Sequence, residues 1–192
     1  MTDALTPERI RAFVLSAHGN LAKVQEMLAE TPALLTAAHQ WGENDFEDGL
    51  GAASHVGNKP IAEFLLQQGA PLTVCAAAML GRIHEMTSFI EADPKQANAR
   101  GAHGIPILFH AAMSGSRAVV DYLYAHGCTE GYSFALHAAI NAKDAAMVRW
   151  LLDHGASDLT VKNWEGKSLL QKAQEYNLPE VVELLRARGA VE

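Results

Sequence analysis

Cysteine is scarce in this sequence: Cys75 and Cys128 are its two. A small secreted domain stapled by disulfides carries more, so a pair of reduced thiols in a cytoplasmic protein is expected. Basic residues are also in deficit. Fifteen Lys and Arg against twenty-two Asp and Glu leave a net charge of −7, whereas a nucleic-acid footprint needs clustered cations. No apolar run approaches the roughly 18 residues of a membrane helix. The opening MTDALTPERI lacks a basic start followed by an apolar segment, so no signal peptide is expected. Absent too are G-x-S-x-G, H-E-x-x-H and a phosphate-cradling glycine loop. Cys75 lies among alanines in VCAAAML and reads as packed and inert. No enzyme is expected.

What the sequence does have is self-similarity. IAEFLLQQGA (61–70), VVDYLYAHGC (119–128), MVRWLLDHGA (147–156) and VVELLRARGA (181–190) are versions of one phrase, with weaker echoes in KVQEMLAETP (23–32) and EMTSFIEADP (85–94). Its second column is Val24, Ala62, Met86, Val120, Val148 and Val182; its fifth is Met27, Leu65, Phe89, Leu123, Leu151 and Leu185. Two apolar columns three residues apart form one face of an α-helix. Gly69, Gly127, Gly155 and Gly189 end four of the phrases, as a helix stop should. Upstream of most phrases lies a small-residue cluster: Ala52-Ala53, Ala76-Ala77-Ala78, Ala111-Ala112, Ala138-Ala139 or a lone Ala173. Small faces let helix axes approach closely. Each unit thus reads as helix, tight turn, helix, stop. The turns fall at Gly19, Gly57, Gly81, Gly115, Lys143 and Asn177. Lys143 has no obvious turn chemistry, and Asn177 with Glu180 fits a capping box. One helix pair cannot bury both its faces, but a stack of six can.

The phrase, its GA ending and the ALHAA at 135–139 resemble the ankyrin-repeat family, whose unit opens its first helix with T-P-L-H-x-A. IPILFHAA (105–112) and SLLQKA (168–173) are degraded copies, and the threonine is missing from every unit. The resemblance spans about residues 6–190. It implies a single all-α domain over 1–192, a solenoid of about six helix-turn-helix units with short β-hairpin-like fingers. The units fall near 6–41, 42–73, 74–104, 105–131, 132–166 and 167–192. The turn positions are 38, 24, 34, 28 and 34 residues apart, which leaves room for fingers at 41–49, 98–105 and 159–166. The 24-residue step, through GAPLTVCAAAMLG, has none, and the 28-residue step, through GCTEGYSF, has at most a stub. NWEG at 163–166 matches the family's D-x-x-G finger tip with Asn for Asp.

The resemblance further implies non-catalytic binding of a protein or peptide by the concave face and finger tips. Carried over by position, the binding residues are His55, Val56, Met79, Leu80, Met113 and Tyr176 on the first helices, with Trp41, Phe46, His103 and Trp164 on the fingers. Aromatics on loops make good interface anchors. The acidic first finger, with Glu43, Asp45, Glu47 and Asp48, would either attract a basic peptide or form a solvated loop; its spacing does not fit a calcium loop. Among the nine histidines, His126 and His154 share a register, but equivalent positions on stacked helices start roughly 8–10 Å apart. No metal and no cofactor is expected, and His137 takes the structural L-H position. A small-molecule or metal-responsive sensor using the His/Met-lined groove is the alternative, and self-association through the groove a third. Polar Arg186 and Arg188 on the last helix fit a capped end and a monomer; neither nucleic acid nor membrane is expected as a partner.

Overall fold

The computed structural model describes residues 5–191, so Met1–Leu5 contributes only Leu5 and the start of the MTDALTPERI stretch lies outside the described residues, as does Glu192. Six helix pairs follow one another: α1 (Pro7–Ala17) and α2 (Leu21–Glu30), α3 (Gly49–His55) and α4 (Lys59–Gln67), α5 (Val74–Leu80) and α6 (Ile83–Ala92), α7 (Ile107–Ser114) and α8 (Arg117–Ala125), α9 (Tyr132–Asn141) and α10 (Ala145–His154), α11 (Leu169–Glu175) and α12 (Pro179–Ala187). None of these helices is long and apolar enough to cross a membrane. The first helices α1, α3, α5, α7, α9 and α11 pack side by side, and the second helices form the outer row.

Local chemistry sets the helix starts. Thr6, Asn20, Asp48, Asn58, Thr73 and Asp144 each accept a backbone N–H from the first turn they precede. Such a cap is worth about 1 kcal/mol. The capping box occurs at Ser168 and Gln171, not at Asn177 and Glu180. Asn177 instead takes a left-handed φ of 54° and is the turn itself. The same holds for Lys143, with φ 56°, in line with Gly57, Gly81 and Gly115 at 72–75°. The turn demands the conformation whatever residue occupies it. Gly19 alone among the six is not in that region.

Both repeat columns face inward. Every member is buried except Phe89, which is partly buried against the core. The core has two clusters that meet at α5: Ala76 and Met79 join Phe13, Leu50 and Leu65 on the N-terminal side, while Val74, Cys75, Ala77 and Ala78 join Phe109, Leu136 and Trp150 on the other.

Finger lengths follow the spacing of the units. The first is a two-stranded antiparallel hairpin, β1 (Ala38–Gly42) and β2 (Asp45–Asp48), pairing His39 with Glu47 and Gln40 with Phe46; it starts three residues before the expected 41–49. The second is closed by a single bridge between Arg100 and Pro106. The third has no strand pairing: Asn163 accepts backbone N–H groups from Glu165 and Lys167 through its side-chain oxygen, as an Asp at that tip would. Between α4 and α5 there is no finger. That gap lets β2 and α3 contact the Ala102–Gly104 turn of the second finger, across the unit that lies between them.

Candidate functional site

Closure of the first finger on the second builds the site. In β2, alternation sends Phe46 outward and Glu47 inward: Phe46 is 57% exposed, whereas the Glu47 side chain is 0% exposed. A carboxylate removed from water needs partners. The Trp41 indole N–H donates to Glu47 Oε2 at 2.8 Å. The other oxygen, Oε1, faces three imidazoles: His55 Nδ1 at 2.9 Å, His103 Nε2 at 3.4 Å and His18 Nε2 at 3.7 Å. His18 follows α1, His55 ends α3, and His103 sits in the second finger. Neither Glu47 Oε1 nor His55 Nδ1, both buried, makes an aligned hydrogen bond.

The rings are held from behind. His18 Nδ1–H donates to the Val14 carbonyl at 2.9 Å, and His103 Nδ1–H to Asp45 Oδ2 at 2.7 Å. The His103 backbone N–H reaches Asp45 Oδ1 at 3.1 Å, with His103 itself in a left-handed φ of 57°. A bulky residue at positive φ is uncommon and marks a local constraint. The electrostatics follow the geometry. Burial pushes the Glu47 pKa up, but the contact and charge of His55, the Trp41 N–H and the charge of His18 outweigh it and hold the carboxyl below its ordinary value. The hydrogen bond from His103 does the same for Asp45.

The imidazoles open into a cleft of about 470 Å³ lined by His18, His55, Val56, His103, Ile105, Phe134 and Trp164. First helices and fingers supply this lining, with no residue from a second helix, so it is the groove side of the stack. Val56 is 41% exposed and Trp164 68%. Four of the ten residues expected from sequence to bind a partner (His55, Val56, His103 and Trp164) therefore share one cleft. The other six do not. Trp41 is half-buried, committed to Glu47, and covered by the Arg11 guanidinium 5.5 Å from its ring centroid. Phe46 lines a separate recess of about 600 Å³ beneath the gap left by the missing finger, with Leu72, Val74 and Phe89. Met79 is 0% exposed: without a finger beside it, α5 is enclosed, and the residue belongs to the core rather than the groove. Leu80 and Met113 are half-buried against the N-terminal cluster. Tyr176 is half-buried under the Lys172 and Lys143 ammonium groups.

Ile105, Phe134 and Glu47 were not among the expected binding residues, and no local pattern marks them. Glu47 in particular looks in sequence like one acid among four. Of the histidines sharing a register, His126 and His154 each turn back to a carbonyl of their own helix, at Tyr122 and Trp150. His137 Nε2 bonds the Val161 carbonyl of the third finger at 3.2 Å, the structural role expected of it. Cys75 and Cys128 are buried and unpaired; burial pushes the Cys75 thiol up to about 12, which leaves no thiolate for chemistry. Residues 108–191 match the protein-family model described as Ankyrin repeats (3 copies). No curated protein matches the chain.

Proposed function

We propose that the chain is a non-catalytic module that binds a protein or peptide through its groove, on the ground that residues 108–191 match the ankyrin-repeat model and the helix pairs before them continue the same stack. Ankyrin repeats are protein–protein interaction modules and typically non-catalytic. The observation that carries the reading is the cleft in which an exposed Trp164 and Val56 flank the half-buried Phe134 and Ile105. An apolar patch rimmed by polar groups marks a contact surface, and a Trp in such a place is the residue type that dominates binding energy. Phe134 is stacked on Phe109 at 4.9 Å, so the floor of the cleft is rigid and loses little entropy on binding. The reading takes the chain to be a monomer in the reducing cytoplasm, where its two buried thiols stay reduced. The metal-responsive alternative has one observation in its favour, the three imidazoles around Glu47.

The test is affinity capture with quantitative mass spectrometry. Wild type runs beside a Trp164→Ala, Val56→Glu double variant and a Tyr124→Ala control, since Tyr124 is exposed on a second helix. A protein retained by wild type and control but lost by the double variant supports the groove. A partner lost only by the control moves the site to the outer helices and sinks this reading.

A further inference from the structure

We propose that His18, Glu47, His55 and His103 form a binding site for a zinc-class divalent transition-metal ion. One donor atom from each of His18, Glu47 and His55 lies within 4.8 Å of the others. His103 Nε2 adds a fourth, 3.4 Å from the same Glu47 oxygen. A tetrahedral ion with bonds of about 2.0–2.2 Å holds its ligand atoms roughly 3.3–3.6 Å apart. The three imidazole nitrogens, at 2.9, 3.4 and 3.7 Å from Glu47 Oε1, bracket that spacing. The site stands whether or not the groove binds a protein.

Three independent features point to a ligand rather than to a self-contained hydrogen-bonded cluster. The first is the pair of orphans: Glu47 Oε1 and His55 Nδ1 are buried, 2.9 Å apart, and still not aligned to bond each other. Buried polar atoms without partners are rare, and a cation between them satisfies both. The second is the support behind three of the four donors. His18 gives its other ring N–H to a carbonyl, His103 gives its own to Asp45, and Glu47 accepts from Trp41 on its other oxygen. Metal-binding imidazoles are oriented by such outer partners, which leave the remaining nitrogen lone pair directed inward. The third is access: the same three imidazoles line the open cleft, so an ion has a route in and a coordination position can stay open to water or to a group on a bound partner.

The donor set selects the ion. Imidazole suits zinc, copper and nickel, whereas calcium and magnesium take oxygen ligands. No thiolate is present, because Cys75 and Cys128 lie elsewhere in the core. Bound there, the ion would join the end of α1, the first finger, the end of α3 and the second finger. It would tie three units together across the position of the missing finger.

The experiment uses the full chain after exhaustive chelation, titrated with ZnCl2 in competition with a chromogenic chelator, and separately with CoCl2 for its visible spectrum. The expected result is one ion per chain, a cobalt spectrum of nitrogen and oxygen ligation without a thiolate charge-transfer band, and no comparable binding of Mg²⁺ or Ca²⁺. His55→Ala and His18→Ala should each weaken zinc by about tenfold or more, and Asp45→Asn, acting only through the orientation of His103, by about 10–100-fold. A His126→Ala, His154→Ala variant should bind as wild type does. Circular dichroism melting identifies variants that fold. Should Glu47→Gln fail to fold, His55→Gln and His103→Gln carry the same test. Failure of the wild-type chain to bind zinc stoichiometrically overturns the proposal. So does binding that survives loss of both His18 and His55.

Discussion

His110 shows how a residue meets an environment that its chemistry does not favour. The ring is 1% exposed, bonds the Ser54 carbonyl at 3.3 Å through Nδ1, and leaves Nε2 without a partner. Burial lowers its pKa from 6.5 to about 4, with the Ser54 bond opposing and the charge of His55 assisting. The folded state therefore refuses a proton that the unfolded chain accepts. Stability is intact above pH 6.5 and declines as pH falls from there toward 4, a loss on the order of 3 kcal/mol. His137, also pushed down by burial, adds to the same slope. Urea melts at pH 7.5, 6 and 5 should show the decline, and His110→Gln, which keeps a donor for Ser54 but cannot titrate, should flatten it. Lys143 carries a different strain. Its left-handed φ of 56° costs about 1–2 kcal/mol for a residue with a Cβ, while glycine there would add about 0.4–1 kcal/mol of unfolded-chain entropy. Lys143→Gly should thus stabilise by roughly 0.5–1 kcal/mol in a denaturant melt, less whatever the Lys143–Tyr176 contact contributes.

Among the elements, α5 stands beside the missing finger, and Met79 shows the effect, buried where His55, Met113 and Asn141 of its counterparts are half-buried. With the loop from Gly69 to Thr73 leading straight into it, α5 is buried from Val74 to Met79. Met79→Ala should cost about 2–5 kcal/mol by emptying a core position, whereas Val56→Ala, at the exposed residue that caps the end of α3, should cost under about 0.5 kcal/mol; paired denaturant melts separate the two. The helices and turns were readable because their rules are local: an apolar column repeats every unit, and a stop or turn lies at a fixed distance. The gap before α5 was readable as a short interval between turns. Its consequence was not, since spacing says where a finger is absent but not which fingers then meet. The Glu47 cluster draws on residues at 18, 47, 55 and 103, and nothing local in the chain connects them. Strand alternation does separate Phe46 from Glu47, but which of the two faces inward depends on how the hairpin lies against α1 and α3. Trp41 was similarly ambiguous until its indole N–H had a partner.

For the whole molecule, the division of the core decides how it comes apart. A solenoid is held by contacts between neighbouring units, and a unit can open without the far end noticing. Here the N-terminal cluster and the C-terminal cluster share only α5 and the residues packed around it, among them Leu72 and Met113. Phe13 lies wholly inside the first cluster and makes no part of the second. Phe13→Ala should remove about 3–5 kcal/mol from the first cluster alone. If the shared helix coupled the halves rigidly, that loss would appear equally in every unit. If coupling passes only through α5 and the finger contacts beside it, amides in α1–α4 should exchange faster under native conditions while those in α9–α12 keep their protection, a graded opening of the kind native-state exchange resolves. The second outcome is expected, because α5 is seven residues long and gives different side chains to each cluster. Uniform acceleration across all twelve helices would show instead that the six units act as one cooperative block.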